Sequence, residues 1–409
     1  MAEKKGGVSL IWQISIGFIA GIVFGRMASP QVVGYVAPLG SIFMALLNML
    51  IVPLVLSSLI VGVASLGDLK ALGRIGVKTV VLYLLTTAAA IAIGLALGNI
   101  MQPGAGMDLA LAKATEAKAA PSLGQVLTNM FPKNAFAAMV NANMLQIIVF
   151  ALFFGVALTM AGEKGKPALA FFDSMAEVMY KMTAIVMKFA PYGVFALIAG
   201  TVSKYGMAVL LPFAKVIGAV YIGCIIHAVV IYSGLVTAFA RKSPMWFFRG
   251  IKEASLTAFV TRSSAGTLPV TMECCHNMGV PEKVSSFVLP LGATINMDGT
   301  ALYQGVCALF IAQAFNIPMD LQMQIGIVVT ATLASIGTAG VPGAGLIMLS
   351  LVVTSVGLPI EGIALVAGIE ALLDAARTSL NVVGDTAVCA VVAASEGETL
   401  SGGPSASAA

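Results

Sequence analysis

Glu370, Asp374, Arg377, Thr378, Asn381 and Asp385 interrupt one apolar stretch near the C-terminal end of this 409-residue chain. At about 100° per residue these positions fall within an arc of about 100° on a helix, so one face is polar and the other apolar. The chemistry open to such a face is recognition. A guanidinium is a planar, permanently charged fork that holds a carboxylate through two parallel hydrogen bonds, and a nearby carboxylate holds an ammonium. An arginine between two aspartates therefore suits a small zwitterion. Ionisable groups at bilayer depth are costly unless they face a cavity or one another, so in a membrane segment this face reads as a binding site.

Three other stretches carry polarity into apolar sequence, and their positions define the elements that must surround the first. Arg262-Ser263-Ser264-Ala265-Gly266-Thr267-Leu268-Pro269 and Ser335-Ile336-Gly337-Thr338-Ala339-Gly340-Val341-Pro342 share Ser-x-Gly-Thr followed by Pro. Each is flanked by helical apolar sequence too short to span on both sides. Gly and Pro break a helix, and the freed backbone groups are tolerated at membrane depth only when buried in protein or lining a wet cavity. Two helical hairpins that enter and turn back fit these segments, and paired interruptions in two halves point to a transporter site between repeats. Between them, Gly292-Ala293-Thr294-Ile295-Asn296-Met297-Asp298-Gly299-Thr300 breaks another helix with carboxylate, amide and backbone oxygens. Hard oxygen ligands of this kind suit a hard cation.

Composition sets the environment. The chain is 59% hydrophobic and 10% charged, with a mean hydropathy of +0.99, against about 25% charged residues in soluble domains. It is read as an all-α polytopic membrane protein and not as a soluble enzyme. The net charge of +4 is a topology signal and implies no nucleic-acid partner. Apolar runs at about Leu10 to Ala28, Ile42 to Leu66, Val77 to Ile100, Met144 to Ala161, Phe171 to Val202 and Val209 to Ala240 are spanning segments. The long fifth and sixth are accommodated by tilt. Lys4, Lys5, Lys70, Arg74 and Lys78 put the N-terminus in the cytoplasm by the positive-inside rule. Cys224, Cys274, Cys275, Cys307 and Cys389 have no framework spacing and read as reduced packing residues. Cys274-Cys275-His276 has no second ligand pair at a zinc-like spacing. The tail from Glu396 to Ala409 is expected to be disordered.

Arg262-Ser-Ser-Ala-Gly-Thr, Asn296-Met-Asp-Gly-Thr, Ser335-Ile-Gly-Thr-Ala-Gly-Val-Pro-Gly and Asp374-Ala-Ala-Arg-Thr-Ser-Leu-Asn occur in this order. With them the chain resembles the dicarboxylate/amino acid:cation symporter family, the sodium-coupled glutamate and aspartate transporters, and most of all its prokaryotic aspartate branch. The resemblance extends upstream through Tyr83-Leu-Leu-Thr86-Thr87 and covers nearly the whole chain. It implies eight transmembrane helices plus two re-entrant hairpins, inverted repeats, a homotrimer and an elevator mechanism in the cytoplasmic membrane, with both termini cytoplasmic. Scaffold helices would occupy 1–75, a transport-domain helix 76–102, an external loop and scaffold helices 103–205, the rest of the transport domain 206–395, and the tail 396–409.

The same resemblance implies site roles. The acidic amino acid would sit against Ser264, Thr300, Val341 and Gly345 and against Asp374, Arg377, Thr378 and Asn381, with Arg262 and Ser263 beside them. Co-transported sodium would use Tyr83, Thr86, Thr87, Gly292, Asn296 and Asp298, together with Asn381 and Asp385. Backbone carbonyls of Thr294, Met297, Ser335, Ile336 and Thr338 would complete the set. The sequence departs from the family pattern at Ala265, where a third serine is usual, at Glu370, where the aspartate branch commonly has Asp, and at Ala375, where animal members carry an arginine that Arg262 would replace. Gln304 stands where animal members carry a titratable glutamate, which implies no proton and potassium step of that kind.

The residues leave three classes of function open: a secondary symporter, a channel and an intramembrane enzyme. A Ser/His protease needs a histidine near Ser264 or Ser335, and His227 and His276 are read as lying outside the polar centres. A channel needs a continuous polar pore, whereas these residues form a compact mixed-charge group. Within the symporter class, a proton-coupled glutamate or C4-dicarboxylate carrier is the alternative.

Overall fold

A computed structural model describes residues 10–67, 74–107, 128, 131–141, 143–335 and 343–400, and these form helices with no strand among them. The N-terminal half begins with α1 (Leu10–Met27), α2 (Pro30–Gly67) and α3 (Arg74–Met101), followed by α4 (Ala135–Val140) and α5 (Met144–Met160). Then come α6 (Lys166–Met187) and α7 (Ala190–Tyr205). Asn143 caps α5 by accepting from the Gln146 backbone N–H, the usual way to satisfy a free helix-end donor.

The apolar stretch expected as one tilted span over Phe171 to Val202 is instead two helices, α6 and α7, bent by 54°. Pro191 in the first turn of α7 explains the break. Proline lacks a backbone donor and its ring clashes with the preceding turn, so α6 cannot run through it.

The next stretch does run through. Leu210 to Phe239 is one 30-residue helical rod, made of α8 (Leu210–Ile226), a π-helical segment (His227–Tyr232) and α9 (Ser233–Phe239). Beyond it lie α10 (Pro244–Gly250), α11 (Lys252–Thr261) and α12 (Ser264–Asn277), then α13 (Glu282–Ile295) and α14 (Asp298–Ala314). The chain ends with α15 (Leu321–Ser335), α16 (Ala344–Ser355), α17 (Glu361–Ala367) and α18 (Glu370–Ser395).

Packing places α18 at the centre. It contacts α8, α9 and α11 to α14, while α3 lies along α14. In the first part of the chain α1 lies on α7, and α2 on α5, α6 and α7. The α1 contact is a stripe of small residues: a Cβ at Gly17, Gly21 or Gly25 would run into backbone of Pro191, Phe195 or Ala199. Such stripes let helix backbones approach closely in lipid, where dispersion replaces the hydrophobic effect.

Outer faces stay apolar. Ile16, Leu85, Ile225 and Val229 are exposed, which costs free energy in water and none in hydrocarbon. Among the described residues four helices are long and apolar enough to cross a membrane, or five if the bent α6–α7 pair is one span, and several shorter apolar helices accompany them. The chain is a multi-pass membrane protein. All five cysteines are buried and unbridged.

At the C-terminal end, residues 396–400 lie against the bundle. Glu396 is paired with Arg74 and Lys78, Glu398 with Lys283, and Leu400 is buried. The expectation of a disordered tail therefore starts too early, because composition is blind to these pairings. Its remainder, 401–409, lies outside the described residues.

Candidate functional site

The polar face of α18 is buried, with Glu370 and Asp374 each 3% exposed and Arg377 1% exposed. Arg377 Nε donates to Asp374 Oδ1 at 3.1 Å, and Nη2 donates to Glu370 Oε1 and lies 2.9 Å from Asp374 Oδ1 as an ion pair. The guanidinium lies 4.5 Å over the Tyr303 ring, and the Tyr303 hydroxyl donates to Glu370 Oε2 at 2.9 Å. Thr378 donates to Asp374 Oδ1 at 3.2 Å. Arg377 Nη1 is buried with no hydrogen-bond partner. A buried, unpaired charged donor is costly, so Nη1 marks where an acceptor from outside belongs.

Backbone approaches this group from two helices. A Cβ on Gly345, in the first turn of α16, would strike the Arg377 guanidinium, and one on Gly299 would strike the Arg377 backbone. Gly343, just before α16, has φ +84° and aims its N–H at Asp374 Oδ2 at 3.4 Å. On the other side the chain breaks between α11 and α12. Arg262 takes the left-handed conformation there, at φ 54° and ψ 34°, a strained choice for a residue with a Cβ. Its side chain is buried, Nε and Nη1 have no partner, and it is within electrostatic reach of Asp374, Glu370 and Arg377. Ser263 caps α12 by accepting from Gly266 N–H at 3.0 Å, while the buried Ser264 Oγ is unpartnered.

About two turns along α18 lies a second polar group. Asp385 Oδ1 accepts from Asn296 Nδ2 at 2.9 Å. Asn296 and Met297 are the two-residue break between α13 and α14, where Asn296 N–H still donates to the Gly292 carbonyl and the Met297 carbonyl accepts from Ala301. The Asn296 amide also donates to the Asn381 carbonyl at 3.2 Å, which leaves its own Oδ1 buried and unpartnered. Asn381 Oδ1 accepts from Gly299 N–H at 2.8 Å, and its Nδ2 faces Met297 Sδ and Thr300 Oγ1. A Cβ on Gly292 would strike Asp385 Oδ1 and the Tyr83 hydroxyl. Asp298, fully buried, accepts from Thr87 at 2.6 Å on Oδ1 and from Tyr232 at 2.7 Å on Oδ2. His227 Nε2 lies 3.2 Å from that same Oδ2. An orphaned amide oxygen beside two carboxylates is a donor set for a hard cation.

His227 and Tyr232 were missed by sequence reading, and the placement of His227 outside the polar centres is corrected here. In an α-helix residues five apart point about 140° from each other. The wider π winding brings them to one side, and their rings meet edge-on at 4.6 Å. A signal existed in the sequence: a histidine inside an apolar span is a functional candidate by default. Tyr303 carried none, since a tyrosine in an apolar helix is ordinary.

Among the other expected residues, Tyr83 donates to the Val288 carbonyl at 3.0 Å and Thr86 to the Tyr83 carbonyl at 3.1 Å. Thr294 and Ser335 spend their hydroxyls inside their own helices, on Leu291 and Thr332 carbonyls, and Thr294 is exposed. Ile336, Thr338 and Val341 lie outside the described residues.

Comparison with known proteins fits this geometry. The chain is 40% identical over 402 residues to the "Proton/sodium-glutamate symport protein" of Geobacillus stearothermophilus, covering 96% of this chain and 95% of that one. It is 38% identical to the "Proton/glutamate-aspartate symporter" of Escherichia coli (strain K12), covering 94% and 92%. To the "C4-dicarboxylate transport protein" of Anaeromyxobacter sp. (strain K) it is 34% identical, covering 97% and 91%. The profile of the Sodium:dicarboxylate symporter family matches residues 10–395. That family consists of secondary transporters, not enzymes, and this chain belongs to it.

Proposed function

We propose that this protein is a sodium-coupled symporter of acidic amino acids, aspartate or glutamate, in the cytoplasmic membrane. The carrying observation is Arg377, buried, charged, with one nitrogen unpartnered and its guanidinium lying against the bare backbone of Gly345. A ligand carboxylate completes that guanidinium, and Asp374 accepts the α-ammonium of the same ligand. Sodium is supported by the Asp298 and Asp385 carboxylates, the orphaned Asn296 Oδ1 and the cleared backbone at Gly292. Cations there supply the positive charge that buried carboxylates need.

The assembly belongs to the same reading. Eight spans with re-entrant hairpins at 244–278 and about 323–356, a homotrimer and an elevator movement are proposed, with α1, α2, α5, α6 and α7 as scaffold and both termini cytoplasmic. The closer packing of α1, α2 and α5–α7 on one another than on the helices around α18 supports that division, with α16 on α2 and α5 and α17 on α7 forming the seam.

Reconstitution into liposomes tests the function. Labelled aspartate and glutamate should accumulate saturably under an inward sodium gradient and fail to do so when choline replaces sodium. Accumulation under a proton gradient without sodium would replace sodium by protons as the coupling ion. Uptake of succinate in preference to either amino acid would remove Asp374 from its assigned role.

A further inference from the structure

Glu370 occupies ground that a ligand carboxylate needs. Arg377 Nη2 donates to Glu370 Oε1 and lies in ion-pair range of Asp374 Oδ1, to which Nε donates. Only Nη1 is free. Fork-on-fork binding of a carboxylate requires two neighbouring donors, here Nη1 and Nη2, so an incoming carboxylate competes with Glu370 for Nη2. Glu370 acts as a built-in stand-in for the ligand.

Charge sharpens the competition. In this buried group the carboxylates of Glu370 and Asp374 are matched by the guanidinium groups of Arg377 and Arg262. An acidic amino acid brings one net negative charge into that balance, and burying an unmatched charge is prohibitive. Glu370 is 3% exposed and cannot swing into water within the described packing. Tyr303 remains on Oε2 as a neutral donor. The carboxyl released from Arg377 then has two ways to stay buried: share the guanidinium as a like-charged neighbour, or become neutral.

We propose that Glu370 is a proton-binding site of the transport cycle, taking up one proton as the substrate carboxylate displaces it from Arg377 and releasing it when the substrate leaves. The proton comes from solvent water and adds to Oε1. The resulting Oε1–H donates to the ligand carboxylate, while Oε2 keeps the Tyr303 hydrogen bond. No other bond changes. The inference rests on the proposed function, because it needs Arg377 to hold a ligand carboxylate.

The groups facing Glu370 are Arg377 and Asp374 on its own helix, Tyr303 and Cys307 on α14, and Arg262 on the break before α12. Asp298 and Asp385 belong to the separate polar group two turns away, and saturating sodium keeps their contribution constant during a titration. Losing Arg377 as a partner and gaining a ligand carboxylate as a neighbour both move Glu370 toward its neutral form relative to the ligand-free arrangement. Substrate affinity should therefore fall as pH rises through the window between the two states, by up to about tenfold per pH unit.

The test uses the full-length protein in detergent, weakly buffered, with saturating sodium. L-aspartate and L-glutamate are added in turn, binding is followed calorimetrically, and proton uptake is read with an indicator dye across the neutral range. About one proton should be absorbed per substrate bound within the window. Glu370→Gln should absorb none and show pH-independent affinity. Tyr303→Phe, which removes the donor to Oε2, should still absorb a proton with its window moved to higher pH. Binding by the wild type without proton uptake at any pH overturns the inference and leaves the proposed function standing. Equal uptake by wild type and Glu370→Gln overturns it as well, as does an unmoved window in Tyr303→Phe. Absence of binding by either amino acid overturns the proposed function itself.

Discussion

At Arg377, α18 buries a cation between two carboxylates, whereas at Asp385, and at Asp298 on the facing helix, the protein buries carboxylates against amide, hydroxyl and imidazole donors. The first group carries its own counter-charges. It can hold a carboxylate through two donors of Arg377 only by exchanging partners, which gives discrimination, since a ligand lacking the carboxylate leaves a charged donor unpaired. The second group has oxygen atoms in excess, so it invites a cation. In the proposed function two sites on one helix divide the work, with arginine choosing the ligand and the oxygen-rich group choosing the ion.

Removing Arg377 is the harshest way to break that division. Arg377→Ala leaves Glu370 and Asp374 buried without their partner, a loss of about 3–5 kcal/mol. Acidic amino-acid binding should fall by at least about a hundredfold, measured by calorimetry on folded, monodisperse protein. Undiminished binding would move the ligand elsewhere.

Asp385→Asn and Asp298→Asn attack the other group. Each should lower apparent sodium affinity by about tenfold to a hundredfold, while substrate affinity at saturating sodium changes less. Sodium titrations of substrate binding read both quantities, and an unchanged sodium dependence would refute the cation role.

Gly345→Ala sharpens the first site. Its new methyl group meets the guanidinium, and overpacking of this kind costs about 1–3 kcal/mol. Substrate affinity should drop by about tenfold or more, with sodium dependence retained.

His227→Phe removes one of three groups on the Asp298 carboxylate. A hydrogen bond to a charged group contributes about 1.5–3 kcal/mol, so apparent sodium affinity should fall by about tenfold, with little change in the choice between aspartate and glutamate. A change in that choice instead would tie the two groups together.

The smallest effect is expected outside both sites. Hydrogen bonds from Arg74 and then Lys78 hold the Glu396 carboxyl down at about 2, from an ordinary 4.5. A carboxylate with a lowered folded-state value contributes stability above its unfolded value, and this is lost as pH falls through the folded one. Thermal melts stepped from about pH 5 toward pH 2 should therefore show a small acid-dependent loss that Glu396→Gln lacks. Identical profiles would show that this clasp is silent.

Much of the first site was legible in the chain, because helix periodicity is local: the spacing of Asp374, Arg377 and Asn381 alone puts them on one face. The break at Asn296 and Met297 and the one at Arg262 and Ser263 were also legible, since polar, Gly and Pro residues inside apolar sequence have few places to go in a membrane. Composition determined the membrane setting for the same reason. Tertiary structure decided the partners. That Glu370 and Asp374 share Arg377, that Tyr303 lies under the guanidinium, and that Gly345 and Gly292 clear space for atoms on other helices are relations between distant segments, and no local pattern encodes them. The π-helical winding at His227–Tyr232 is the clearest case, because it turns two residues of an unremarkable apolar span onto one oxygen of Asp298. Pairing of this kind is selected by packing across helices, where a buried carboxylate must find its donors wherever the fold brings them.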